Sequence, residues 1–121
     1  AGELAWLGER ADVAPLFAAA QVLLMTSRED PQPLVPLEAA MYGAATAGFA
    51  VGGIGDLAAD GAALTAPYPD TAALAELVTR LLDDEGLRAD LSAAAERRRR
   101  EHHSLEVTGE RFLAEVGSLL E

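Results

Sequence analysis

The feature that most constrains the fold of this chain is an uninterrupted apolar run of strand length, Val22-Leu23-Leu24-Met25. A strand with one face in water alternates apolar and polar residues, whereas a continuous apolar run is typical of a parallel sheet covered on both faces. Parallel neighbours need long crossover connections, which are usually helices. The run therefore predicts an α/β fold.

Three other apolar segments have strand length. Residues 4–7 predict a short buried strand that ends at Gly8, residues 44–51 predict a third strand, and residues 62–66 predict a last short strand. Strands that alternate with helices are joined by right-handed crossovers. We therefore expect a partial Rossmann-like parallel sheet of about four short strands, with helices on both faces.

Helical patterns separate the predicted strands. Asp12 would cap a helix over residues 13–20, and a second helix would run from Pro33 to Gly43. Pro33 suits the first helical position, where its missing N–H costs nothing. A short helix follows the glycine turn of residues 52–56 and ends near residue 59.

The C-terminal third is helical in pattern throughout. Residues 71–84 place leucines on one face of a helix that Gly86 would end. Residues 87–101 predict a second helix, and Ser104 would cap a third. The whole chain, residues 1–121, is therefore expected to form one domain.

A run of four arginines, Arg97 to Arg100, lies near the end of the second of these helices. It could form a nucleic-acid patch, but a solvated helix end paired with acids such as Glu96 and Glu101 is the favoured interpretation. His102 and His103 follow as neighbours. Adjacent residues of a helix point in different directions, so we expect exposed loop histidines and no metal site.

Composition excludes several classes of function. The net charge of −11 argues against nucleic-acid and anionic-membrane partners, and the absence of cysteine excludes disulfides and thiol nucleophiles. No apolar run has the length of a transmembrane segment and no signal peptide is visible, so a cytoplasmic location is expected. All nine basic residues are arginine, which suggests a bacterial source. The chain begins at Ala1 rather than methionine, so we expect an N-terminal part of the same polypeptide to be missing.

The segment Ser27 to Gly43 carries the strongest functional signal. It leads from a polar loop into a helix whose free backbone N–H groups and positive dipole end suit a phosphate. A carboxylate one turn inside the helix, Glu38, can accept hydrogen bonds from sugar hydroxyls. Phosphate beside hydroxyls describes a nucleotide sugar.

In order along the chain, five motifs resemble the carboxyl-terminal part of the nucleotide-sugar-binding domain of GT-B glycosyltransferases of family 4 (glycosyltransferase group 1). Residues Ser27 to Gly43 resemble the family signature S-x-x-E-x-F-G-L-V-x-L-E-A-M-A-x-G. Residues 52–56 resemble its G-G-I-P-E loop. The other three are Trp6-Leu7-Gly8, Ala18 to Val22, and the run that contains Asp60, Gly61, Leu64, Pro67 and Asp70.

The resemblance implies a retaining transfer of a sugar from a nucleoside-diphosphate donor to an acceptor, with no cofactor and no essential metal. It implies that Glu38 binds the ribose hydroxyls and that Asp30 lies near the transferred sugar. The amides of Leu34 and Val35 would hold the diphosphate, with Gln32 beside them in the donor-binding loop. It assigns no catalytic residue within this chain, and the segment at residues 8–10 would lie near the base.

The chain departs from the family pattern at two places in this signature. Asp30 is one methylene shorter than the usual Glu, and Gln32-Pro33 replaces the usual Phe-Gly. The cationic clamp for the diphosphate and the acceptor-binding domain belong to segments outside this chain, so the isolated chain is expected to be inactive.

The resemblance also implies a sheet order of 3-2-1-4-5-6, of which this chain would hold strands 3 to 6. Residues 4–7 should then not pair directly with residues 22–25. The edges left exposed by the missing strands would favour association, including formation of a homo-oligomer. A non-catalytic binding or assembly module derived from a glycosyltransferase domain is therefore the alternative interpretation.

Overall fold

Three parallel strands and six helices build the chain in a computed structural model that describes residues 2–120. Ala1 and Glu121, the ends of the predicted domain, lie outside the described residues. In chain order the elements are α1 Ala14–Ala19, β1 Val22–Met25, α2 Val35–Ala40, β2 Ala45–Phe49, α3 Gly53–Ala59, β3 Leu64–Ala66, α4 Thr71–Asp83, α5 Glu85–His103 and α6 Leu105–Leu119. The predicted α/β class and the helical C-terminal third are confirmed.

The sheet has the order β1-β2-β3, with both neighbouring pairs parallel. In the register, Val22 lies opposite Ala45 and Ala47 lies opposite Leu64. The carboxyl ends of the strands therefore share one edge of the sheet, where ligands of open α/β sheets bind.

All five residues of β2 are buried, which requires cover on both faces. Ala45, Ala47 and Phe49 pack against Leu74 and Leu81 of α4. On the other side a second cluster joins α2, α3 and α5, and it consists of Leu37, Ala40, Leu57, Ala62, Ala63 and Ala95. The predicted helices on both faces are confirmed.

The predicted first strand is wrong. Among residues 2–120 the sheet has three strands rather than about four, and residues 4–7 form neither helix nor strand. The side chain of Leu4 is 97% exposed and that of Trp6 is 92% exposed. A strand needs a neighbour for its N–H and C=O groups, and no strand in residues 2–120 pairs with this segment. The expectation that residues 4–7 do not pair with β1 is confirmed.

Prolines shift the starts of α1 and α2 from their predicted positions. Pro15 and Pro36 lack an N–H, so the first helical donors are Leu16 and Leu37, whose N–H groups each reach a carbonyl oxygen at 3.0 Å. The acceptors are the carbonyl oxygens of Val13 and Leu34. Val13 is therefore the N-cap of α1 instead of Asp12, and Leu34 is the N-cap of α2, which starts after Pro33. The predicted cap by Asp12 and the predicted first position of Pro33 are therefore wrong.

Asp84 joins α4 to α5. Its carboxylate accepts a hydrogen bond from the N–H of Leu87 at 2.8 Å, so Asp84 caps α5. Arg88 Nη1 donates to the carbonyl oxygens of Leu81 and Leu82 at the end of α4. The predicted stop at Gly86 is wrong, since that residue lies in the first turn of α5, whereas the predicted cap of α6 by Ser104 is confirmed.

Candidate functional site

The predicted site begins in the segment between β1 and α2, residues 26–34, which we call the proline loop. It leaves the sheet at the carboxyl end of β1, beside the turn that leaves the carboxyl end of β2. Asp30 is partly buried in this loop, and Pro33 is buried. The loop thus lies where the topology of a parallel sheet positions a ligand.

The close approach of the two turns depends on Gly52 and Gly53. The N–H of Gly53 donates to the carbonyl oxygen of Asp30 at 3.0 Å. A Cβ atom at Gly52 would overlap that same oxygen, and Gly52 has a φ of +49°. A Cβ atom at Gly53 would come within 2.8 Å of the carbonyl oxygen of Pro31. The glycine pair, which the sequence identifies only as a turn, therefore fixes the proline loop against the sheet.

Two backbone amides at the start of α2 have no acceptor among the described residues. The N–H groups of Leu34 and Val35 donate to no backbone or side-chain oxygen within residues 2–120. Both residues are exposed, with 60% of Leu34 and 39% of Val35 accessible. Unsatisfied N–H groups at a helix start carry partial positive charge, so these two amides can receive an anionic oxygen.

The five predicted site residues do not surround a single cavity. Asp30 lines a cavity of about 250 Å³ with Arg28 and Gly52 at the carboxyl ends of the strands. Glu38 lines another of about 180 Å³, which lies between α1 and α2 and is bounded by Phe17 and Tyr42. Gln32 lines a third of about 170 Å³ on the α5 side. Leu34 and Val35 lie at the start of α2, in the chain between Gln32 and Glu38.

The C-terminal helices contribute residues that the sequence did not assign to the site. Arg98 and His103 of α5 line the same cavity as Gln32, and Gln32 Nε2 lies 3.3 Å from His103 Nδ1. His103 is thus partly buried rather than an exposed loop histidine, which corrects that expectation. Gln32 and His103 are 71 positions apart, so no local pattern could have revealed the contact.

Burial lowers the pKa of His103, and the positive charges of Arg98, His102 and Arg111 lower it further. The lowered pKa favours the neutral form of the imidazole ring. A neutral ring has one nitrogen that donates and one that accepts, and the amide of Gln32 can complement either arrangement.

Acidic partners pair with three of the four arginines near the end of α5. Arg99 and Arg100 bind the carboxylate of Glu96, with Arg99 Nε at 2.7 Å and Arg100 Nε at 2.8 Å. Arg98 forms an ion pair with Asp60. The predicted pairing of this run with nearby acids is confirmed for Glu96.

Within residues 2–120 no three His, Asp or Glu side chains converge as a metal site. None of the helices in that range is long and apolar enough to cross a membrane.

Comparisons with known proteins agree with the family resemblance. The sequence profile described as "Glycosyl transferases group 1" matches residues 2–98. Sucrose-phosphate synthase from Thermosynechococcus elongatus superposes on 89% of the chain, with a TM-score of 0.80 and 26% identity. WaaG, a glycosyltransferase involved in lipopolysaccharide biosynthesis, superposes on 84%, with a TM-score of 0.68 and 25% identity.

A sequence comparison with curated proteins finds no match. The chain covers 27% of the synthase and 28% of WaaG, so it spans about a quarter of the length of these solved structures. Both neighbours have the GT-B fold, and the family profile matches most of the chain. The protein therefore belongs to the group 1 glycosyltransferase family.

Proposed function

We propose that this chain forms the donor-binding half-domain of a retaining glycosyltransferase, which transfers a sugar from a nucleoside-diphosphate donor to an acceptor. One observation carries the proposal. The family signature lies at the carboxyl end of β1, with a glutamate in the first turn of α2 and two amides at its start that find no acceptor in the described part of the chain. Free amides suit phosphate oxygens, and an ionised carboxylate suits a pair of vicinal hydroxyls.

In this proposal each predicted residue has a separate role. The amides of Leu34 and Val35 bind the diphosphate, and Glu38 accepts hydrogen bonds from the ribose hydroxyls. Asp30 approaches the transferred sugar from the neighbouring cavity at the strand ends. Gln32 supports the loop between them. The protein would act by positioning the donor and stabilising the leaving diphosphate, without an enzymatic nucleophile, cofactor or metal ion.

The rest of the active site would come from other parts of the same polypeptide. The chain spans about a quarter of its structural neighbours, which leaves room for an N-terminal acceptor-binding domain and a cationic clamp for the diphosphate. The isolated chain should therefore bind the donor weakly or not at all. The proposal also includes a bacterial source, suggested by the arginine-only basic residues, and a cytoplasmic location.

The test is an equilibrium titration of UDP, GDP and ADP sugars against the full polypeptide that carries this chain. We expect one of the three donor classes to bind and Glu38→Ala to weaken its binding about 10- to 100-fold, because hydrogen bonds to a charged group are lost. Glu76→Ala, which removes an exposed acid of α4, is the matched control and should bind like the wild type. Failure of the wild type to bind any nucleotide sugar would refute the enzyme proposal.

The alternative, a non-catalytic assembly module, is favoured by the exposed edge of the sheet. β1 is an edge strand whose Leu24 is 49% exposed, and Leu4 and Trp6 are also accessible. Exposed strand edges pair readily with other chains. The same titration separates the two proposals, because a module of this kind would associate without binding a nucleotide sugar.

A further inference from the structure

A polar cavity of about 170 Å³ lies behind the proline loop, on the side of α2 that faces α5. Gln32 and Pro33 contribute to its wall from the loop, Gly53 and Asp56 from α3, and Arg98 and His103 from α5. The cavity thus joins the loop that we assign to the donor with the last turn of a helix about 70 residues later in the chain.

One hydrogen bond joins the proline loop to α5 across this cavity. The Gln32–His103 pair, at 3.3 Å, is the only hydrogen bond that a side chain of the proline loop makes within residues 2–120. His103 is the last residue of α5, and Ser104 next to it caps α6 with a hydrogen bond to the N–H of Val107. The cap thus fixes the junction between α5 and α6, and His103 at that junction contacts the proline loop.

Two other contacts also hold the loop against the turn after β2. The carbonyl oxygen of Asp30 receives the N–H of Gly53, and the ring of Pro33 is buried against the same turn. Neither contact restrains the side chain of Gln32, which stands where the family signature has a phenylalanine. The amide of Gln32 instead reaches the last residue of α5.

We propose that His103 is a positioning residue for donor binding. Through Gln32 it holds the proline loop in the orientation in which Asp30 and the amides of Leu34 and Val35 face the donor. This inference rests on the proposed function and adds to it a residue from outside the family signature. With Nε2 of Gln32 facing Nδ1 of His103, the amide donates and the unprotonated Nδ1 accepts; when Nδ1 carries the proton, the amide must turn so that Oε1 accepts it.

The first test is a double-mutant cycle on donor affinity in the full polypeptide. Gln32→Ala and His103→Ala should each raise the donor Kd about two- to tenfold, which is the effect of one neutral hydrogen bond. The double variant should be no weaker than either single variant, because the two side chains act as a pair. His103→Asn, which keeps a polar group near Nδ1, should recover most of the affinity, and His102→Ala is the matched control. Additive effects of the two single substitutions would overturn the inference.

The second test needs no donor and so separates this inference from the proposed function. The amide of Gly53 reports docking of the loop, since it donates to the carbonyl oxygen of Asp30. His103→Ala should speed its hydrogen exchange, while the amide of Ala62, which donates to Leu57 at 2.8 Å, keeps its rate. Exchange of Gly53 that is unchanged by His103→Ala would overturn the inference. If the wild type binds no nucleotide sugar, the proposed function fails and this exchange measurement alone decides the coupling.

Discussion

At the scale of single residues, the tightest packing of the site is between Gly52 and the carbonyl oxygen of Asp30. A side chain at position 52 meets two obstacles, the occupied space and the positive φ of the backbone. Both arise because the proline loop packs directly against the turn after β2. The same glycine therefore serves the stability of the fold and the position of Asp30.

We expect Gly52→Ala to lower the free energy of unfolding by about 2–4 kcal/mol, because the new methyl group collides with backbone and the left-handed conformation is strained. Gly55→Ala is the matched control. Gly55 lies in α3, has no heavy atom within 4 Å of an added Cβ, and should be unchanged or more stable after substitution. Urea denaturation of both variants measures the difference. Equal stability of the two would contradict the close approach described for Gly52.

At the scale of elements, α5 connects the parts of the molecule. Ser92 Oγ donates to the carbonyl oxygen of Ala40 at the end of α2. Leu91 packs in the cluster that β2 forms with α4. Near its C-terminal end, Glu96 holds Arg99 and Arg100 at hydrogen-bond distance. The helix thus presents the face that carries Arg98 and His103 to the proline loop.

The ion pairs of Glu96 predict a dependence of stability on pH. The hydrogen bond from Arg99, with smaller contributions from Arg100, lowers the pKa of Glu96 from 4.5 to about 2 against the opposing effect of burial. A carboxyl with a lowered pKa in the folded state adds stability above its unfolded pKa and loses it as the group is protonated. The contribution of Glu96 should therefore be complete above pH 4.5 and disappear as the pH falls towards about 2.

Urea denaturation of the wild type and of Glu96→Gln over that pH range is the measurement. At pH 7 the variant should be less stable by about 1 kcal/mol, the upper range for ion pairs near a surface. The difference should vanish at the acid end of the range. Glu101→Gln, which changes an exposed acid of the same helix, controls for loss of negative charge alone. A difference that stays constant with pH would show that the Arg99 contact does not stabilise the fold.

At the scale of the whole molecule, the sheet could be predicted from the sequence because β1 is continuously apolar and β2 consists mostly of small and apolar residues. Residues 4–7 have the same apolar character but form no strand. Apolar composition indicates that a segment can be buried, and it does not indicate whether a neighbouring strand exists to pair with it. The resemblance to the family supplied the missing information, because its sheet order separates this segment from β1.

The candidate site was predictable to a different degree at each position. The start of α2 follows from local sequence, although Pro36 moved it by preventing an earlier hydrogen bond. The contacts of Gly52 with Asp30 and of Gln32 with His103 join segments distant in sequence. Such contacts depend on how the elements pack together, and a single sequence carries no local signal of that packing.

We propose that Glu38 binds the ribose of a nucleotide-sugar donor on this half-domain. The most direct test of this proposal is to titrate the full polypeptide, as wild type and as Glu38→Ala, with the donor and with the same donor lacking one ribose hydroxyl. The wild type should bind the deoxy donor about tenfold or more weakly, because a hydrogen bond to a charged group is lost. Glu38→Ala should bind both donors equally. If removal of the hydroxyl weakens both proteins by the same factor, Glu38 does not bind the ribose and the account is wrong.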